Sequence, residues 1–201
     1  MSGARSFLFL LGSTRPGGNT ELLAREAAGR LPAGTAQRWL RLAEHPLPDF
    51  EDRRHGGEPP APEGAEAMLL AATLAATDLV IASPLYWYSV STPTKRLLDH
   101  WSGWLRLPGV SFRAEMARRT LWGVTAHAHR EPEVAAPLIG TLHHSAAYFG
   151  MRFGGVLLGS GSRPGDVLAD EGAMARAETF FATEPAVARF PYVEDLLARA
   201  S

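Results

Sequence analysis

The sequence contains no cysteine. That removes disulfides, thiolate nucleophiles, Cys-ligated zinc and Cys-ligated iron–sulfur clusters together. It has no excess of either charge: 20 Lys and Arg stand against 21 Asp and Glu, leaving −1 with the seven His neutral. Nothing in that balance points to a nucleic-acid partner or an acidic solvating tail. Long hydrophobic runs are also missing. No stretch is long enough to span a bilayer, and the apolar run at residues 7–11 is too short for a signal-peptide core, so a cytoplasmic location is expected. What is present is 201 residues, 46% of them hydrophobic, which suits one domain over 1–201 with a full-sized core.

Phe7-Leu8-Phe9-Leu10-Leu11, ended by Gly12, reads as a strand buried on both faces, the signature of a parallel sheet. Residues 21–31 read as a helix, with Leu22, Leu23, Ala27 and Leu31 at helical spacing and Pro32 just beyond. A second strand is expected at 36–42, a long Pro- and Gly-rich loop at 44–63, and a helix at 65–76. A third strand follows at 78–83, then a helix at 92–101 with Thr92 as cap and Pro93 in its first position. Residues 102–116 read as irregular. The pattern continues with a strand at 120–125, a helix at 133–149, a fifth strand at 151–158, and helices at 172–182 and 192–200. Strands alternating with helices imply an α/β fold in three layers. The expected sheet is parallel, five-stranded and of order 2-1-3-4-5, with helices on both faces. Ligands of such a sheet sit at the switch point between strands one and three, beyond their carboxyl ends.

That rule singles out two loops. The first is Gly12-Ser13-Thr14-Arg15-Pro16-Gly17-Gly18-Asn19-Thr20. It has no acidic residue, offers hydroxyl, amide and guanidinium donors, and leads directly into a helix N-terminus, as a phosphate site requires. It lacks the Lys-Ser/Thr of a Walker loop and the spacing of the dinucleotide fingerprint, so it suits a phosphomonoester. An ordinary capped turn, with Asn19 or Thr20 as cap, fits the same residues. The second loop is Pro84-Leu85-Tyr86-Trp87-Tyr88-Ser89-Val90-Ser91-Thr92. Its three consecutive aromatics can flank a flat heterocycle. They can equally pack on the segment after Trp101 or on a partner subunit.

Together the two loops resemble the NAD(P)H-dependent FMN reductase and NAD(P)H–quinone reductase family of flavodoxin-like proteins. That family carries Gly-Ser-x-Arg-x-x-(Gly/Ser)-x-(Asn/Thr) after strand one, and a Pro-x-Tyr-(Asn/Trp)-x-(Ser/Gly) turn before a helix with Lys and a final Asp. Here those places hold residues 12–20, then 84–89 with Lys95 and Asp99. The resemblance implies that Ser13, Arg15, Gly18, Asn19 and Thr20 hold the FMN phosphate. Pro84, Leu85, Tyr86, Trp87 and Ser89 would line the isoalloxazine. Thr125 and His127, in the loop after strand four, would touch the far end of the ring, although this loop has two His where the family is Gly-rich. It further implies NAD(P)H as electron donor, a small-molecule acceptor (quinone, azo or nitro compound, metal or free flavin), no catalytic side chain, and a homodimer or homotetramer. The aromatic cluster and Trp101 and Trp104 are expected to supply the exposed surface for that assembly.

Rival readings are weaker. A flavodoxin-type electron carrier tends to be strongly acidic, unlike this chain, and a flavin-binding module without turnover remains open. His127, His129, His143 and His144 invite a metal, but His143 and His144 are adjacent on a helix and cannot face one point. No Gly-x-Ser-x-Gly elbow supports a hydrolase. Lys95 and Asp99 read as a solvated helix face. Residues 159–165 resemble a phosphate loop in composition but read as a flexible connection away from the switch point.

Overall fold

A computed structural model describes residues 4–190 apart from 54, 58 and 130. The helix expected at 192–200 lies outside the described residues. Five parallel strands form one sheet: β1 (Ser6–Leu11), β2 (Ala36–Arg41), β3 (Asp78–Ala82), β4 (Thr120–His127) and β5 (Arg152–Ser160), in the order β2-β1-β3-β4-β5. The sequence explains the order of burial. β1, β3 and β4 are near-continuous apolar runs and are buried along almost their whole length, whereas β2 (AQRWLR) is mostly polar and forms an exposed edge.

Among the described residues, six helices cover the sheet: α1 (Asn19–Ala28), α2 (Gly64–Ala75), α3 (Thr92–Trp104), α4 (Phe112–Ala117), α5 (Ala136–Phe149) and α6 (Glu171–Thr179). Alternate residues of each strand feed two separate cores. Phe7, Phe9, Val80, Trp122 and Val124 pack against Leu23 and Ala27 of α1 and Ala173 and Ala177 of α6. Leu8, Leu10, Leu79, Ile81 and Leu121 pack against α2 to α5, with Trp101, Trp104 and Phe112 at the centre. The three-layer α/β architecture expected from the sequence is present.

Several boundaries differ from the expected ones. α1 begins at Asn19, two residues early, because the N-cap is Gly18 in extended conformation. It ends at Ala28, where Gly29 follows and Pro32 disfavours helical geometry at Leu31. α3 runs three residues further than expected, and the supposedly irregular segment after it contains α4. Phe112 and Met116 are buried there, and that packing pins the short helix. Thr92 does not cap α3. The cap is Ser91, whose hydroxyl instead donates to Gly12 O at 2.7 Å. β4 extends two residues beyond Thr125, to His127, because Thr125, Ala126 and His127 pair with Leu158, Gly159 and Ser160 of β5. α5 starts at Ala136 after a 3₁₀ turn over Pro132–Ala135, and α6 gives way to a 3₁₀ turn at Phe180.

Candidate cofactor site

The carboxyl ends of β1 and β3 meet the start of α3 in one hydrogen-bonded corner. Gly12 N donates to Ala82 O at 2.8 Å, and Ser91 N donates to Ser83 Oγ at 2.9 Å. Gly12 is required by this approach, since a Cβ there would overlap Thr94 Oγ1 and crowd Ser91 Oγ at 2.8 Å. The corner fixes the root of both loops that the switch-point rule singled out.

Above the corner lies a cavity of about 180 Å³ lined by Ser13, Arg15, Gly18, Asn19, Thr20, Pro84, Leu85, Tyr86, Ala126, His127, Ala128, Gly161 and Ser162. Nine of the twelve sequence-selected residues therefore share one cleft. Trp87, Ser89 and Thr125 do not line it. Thr125 is completely buried within β4 and its hydroxyl has no hydrogen-bond partner. His127 is nearly buried, and its Nδ1 likewise has none. Burial pushes the His127 imidazole below its ordinary pKa. A hydrogen bond with the His129 backbone opposes this, as do the charges of Asp170 and Glu131, whereas electrostatic coupling to the His129 ring adds to it.

Three features of the first loop were not foreseen. The loop itself holds no acid, yet Glu21 folds back beneath it. Its Oε2 accepts from Gly17 N at 3.0 Å and from Arg41 at 2.7 Å, while Arg25 donates to Oε1 at 2.7 Å. Burial pushes the Glu21 carboxyl up. The hydrogen bonds from Arg41, Arg25 and Gly17 outweigh it and hold the group below the usual carboxylate range. Second, the Asn19 amide is committed elsewhere: Nδ2 donates to Arg163 O at 2.8 Å and Oδ1 accepts from Gly165 N at 2.9 Å. Third, residues 159–165 are accordingly no connection away from the switch point. Asn19 ties them over the first loop, and Asp166 Oδ2 braces Ser162 N and Arg163 N from below. Four wall residues were not selected from the sequence: Ala126 and Ala128, which flank the selected His127, and Gly161 and Ser162, which only a contact spanning some 144 positions places there. The Thr20 hydroxyl accepts from Ala126 N at 3.2 Å and joins α1 to the end of β4. Ser13 Oγ accepts from Arg15 N at 3.1 Å, which curls the loop and leaves the Arg15 side chain exposed.

The second loop is a tight reversal. Tyr86 and Ser89 exchange both backbone hydrogen bonds, at 3.0 and 3.1 Å, so Trp87 and Tyr88 occupy its two central positions. Both have positive φ, 48° and 63°. Such a turn favours Asn-Gly, and each bulky residue held there costs about 1–2 kcal/mol. The strain leaves Trp87 93% exposed at the mouth of the cleft, with Tyr86 and Tyr88 about half exposed. Trp101 and Trp104 contribute nothing to that surface. Both are buried in the core, where they meet Phe112 edge-on.

Other candidates resolve simply. The His143 ring packs on Phe153 and the His144 ring on Phe190, and the two rings meet each other edge-on at 5.6 Å. Among the described residues, no group of three His, Asp or Glu could hold a metal ion. Lys95 and Asp99 form an i,i+4 ion pair at 2.6 Å on the surface of α3. A larger cavity, about 280 Å³, lies under the loop after β2. Its buried groups satisfy one another, Glu66 Oε1 accepting from Trp104 Nε1 and meeting His100 Nδ1, both at 2.9 Å. Among the described residues, no helix is long and apolar enough to cross a membrane.

The donor set fits a phosphorylated flavin. Hydroxyls and a guanidinium surround the first loop at a helix N-terminus, and aromatic and apolar residues line the wall one ring system away. Comparison with known proteins agrees with that chemistry. Residues 6–147 match the model of the NADPH-dependent FMN reductase family. The Bacillus subtilis (strain 168) protein YwqN, whose name places it among NAD(P)H-dependent FMN-containing oxidoreductases, is 31% identical over 179 residues, 88% of this chain and 96% of its own. The Trp repressor binding protein structure from Bacillus subtilis superposes with a TM-score of 0.70 at 26% identity, covering 87% of this chain and 97% of that one. An NAD(P)H:quinone oxidoreductase from Methanothermobacter marburgensis shares the fold, with a TM-score of 0.63 at 18% identity over 86% and 91% of the two chains. The fold is that of a flavodoxin-like reductase. The chain belongs to the NADPH-dependent FMN reductase family and is an FMN-dependent NAD(P)H oxidoreductase.

Proposed function

We propose that the chain, acting as one domain in the cytoplasm, reduces a flat aromatic acceptor at the cleft between residues 12–20 and 84–89. Quinones, azo compounds, aromatic nitro compounds and free flavin are flat acceptors of that kind, whereas a metal ion is not. The observation that carries this reading is the single cavity in which the phosphate-type loop faces Pro84, Leu85 and Tyr86, with exposed Trp87 and Tyr88 at its rim. FMN held there would supply hydride acceptance from NAD(P)H and two-electron transfer to the acceptor, so no acid–base side chain would be required. The chain's own residues bind and orient. Arg15, Ser13 and the backbone N–H groups at the start of α1 receive the phosphate, and Gly18 lets the backbone approach closely. The backbone of residues 84–89, with Leu85 and Tyr86, lines the ring edge. His127 and the buried end of β4 close the far side.

The test is an absorbance spectrum of protein loaded with FMN, followed by anaerobic addition of NADH or NADPH and then of each acceptor. A flavin spectrum that bleaches with the nucleotide and recovers faster with quinone, azo compound, nitro compound or free flavin than with a metal ion is expected. Absence of bound flavin would overturn the reading of the cleft. Bound flavin that NAD(P)H does not bleach favours an electron carrier.

The exposed Trp87, Tyr86 and Tyr88 are also the surface we assign to assembly into a homodimer or homotetramer. Light scattering at micromolar concentration should give a mass of at least twice the 21.7 kDa of one chain. A monomer would overturn the assignment.

A further inference from the structure

Arg41 stands at the last position of β2, in register with Leu11 at the end of β1. Its side chain is only 12% exposed. One guanidinium nitrogen lies 3.4 Å from Ser13 O and 3.3 Å from Arg15 O, and the other donates to Glu21 Oε2 at 2.7 Å. The same Glu21 oxygen accepts from Gly17 N. Three points of the first loop, at residues 13, 15 and 17, are thus held by one ion pair that reaches across from the neighbouring strand. We propose that Arg41, acting through Glu21 and the carbonyls of Ser13 and Arg15, is a positioning residue that holds the first loop in its phosphate-binding shape before the ligand arrives.

Two physical requirements meet in this pair. A loop whose N–H groups point at a phosphate turns its carbonyls the other way, and those carbonyls need donors. Arg41 supplies them for Ser13 and Arg15. In addition, an ionised carboxylate under an anion site repels the anion unless it is neutralised. Glu21 carries two guanidinium partners, Arg25 and Arg41, and Arg41 also meets Glu44 at 3.3 Å, so the charges of the cluster balance and Glu21 is neutralised. A loop already ordered loses less conformational freedom on binding, which appears as affinity. Arg41 is the end residue of a polar edge strand and lies outside the cavity wall, so it acts without touching the ligand.

The inference rests on the reading of this cleft as the FMN site, and a titration of apoprotein with FMN separates the two. If the wild type binds no FMN, the reading of the cleft fails. If it binds, Arg41→Ala should raise the FMN dissociation constant about tenfold, the scale of one lost charge-assisted contact. Arg41→Lys keeps the pair with Glu21 but not both carbonyl contacts, and should fall between the two. Because Arg41 works through the loop that carries Arg15, the losses should not multiply. Arg15→Ala/Arg41→Ala should bind within about threefold of Arg15→Ala alone. Wild-type affinity in Arg41→Ala, or losses that multiply in the double variant, would overturn the proposal. Far-UV circular dichroism of each apoprotein checks that the variants fold. Should Arg41→Ala fail to fold, Arg41→Lys with and without Arg15→Ala makes the same comparison.

Discussion

Arg15→Ala is expected to weaken FMN binding tenfold to a hundredfold while leaving the melting temperature of the apoprotein unchanged. Arg15 is exposed in the first loop, and its guanidinium makes no hydrogen bond to any described residue. Its backbone is what the fold uses: Arg15 N donates to Ser13 Oγ, and Arg15 O receives Arg41. Truncation at Cβ keeps both contacts. What is lost is a planar fork suited to phosphate oxygens, and a charge-assisted hydrogen bond of that kind contributes about 1.5–3 kcal/mol. The holoprotein should melt lower than wild-type holoprotein, since bound ligand stabilises by mass action. Fluorescence titration and thermal denaturation of both forms decide the matter. If the Arg15→Ala apoprotein melts far below the wild type with FMN affinity unchanged, Arg15 is structural and the phosphate is held elsewhere.

The opposite pattern is expected of Asp78→Ala. Asp78 opens β3, at the end of the sheet far from the cleft, and is 2% exposed. Its carboxylate accepts from Arg5 Nε at 3.1 Å and Nη2 at 2.5 Å, from Trp122 Nε1 at 2.8 Å and from Thr77 Oγ1 at 2.7 Å. Arg5 also donates to Phe181 O at 2.7 Å, so the carboxylate ties the turn after α6 to the first strand. Without it, the indole N–H of fully buried Trp122 has no acceptor, and one such orphan costs about 1–3 kcal/mol. Arg5 is partly exposed and can turn to water, so the ion-pair loss is at the low end for a buried pair. Together these amount to about 3 kcal/mol, or roughly 6–12 °C in Tm for a chain of this size. FMN affinity should stay at the wild-type value. A fall of under about 2 °C would show that the network is dispensable.

The fold was legible because its signals are local. The apolar runs of β1 and β3 and the breaks at Gly12 and Pro84 fix strands, loops and switch point, and nine of the twelve selected residues share the cleft. The missing parts are those that long-range contacts decide. Nothing near residue 161 announces that Asn19 captures that loop; its composition pointed to a phosphate loop, and its place after the fifth strand, away from the switch point, set it aside. Glu21 reads as an ordinary first-turn helix acid, and only the proximity of Arg41 across β1 and β2 turns it inward. Thr125 fell outside the cavity because pairing with β5 carries β4 two residues further and buries the hydroxyl. Trp101 and Trp104 read as either core or interface surface because composition gives no direction; their neighbours in α3 and α4 place them in the core.

The strained turn at Trp87 and Tyr88 gives the chain an optical handle. Of its five tryptophans, Trp101, Trp104 and Trp122 are sealed in the two cores, and Trp39 is half-buried and stacked on Phe9 at 3.9 Å. Trp87 alone stands in water, at the rim of the cleft. Its indole emission is therefore red-shifted from the others and open to a soluble quencher that cannot reach them. A ligand or second chain that covers Trp87 would shield it, so binding beside Tyr86 of the cleft wall can be followed in the unlabelled protein.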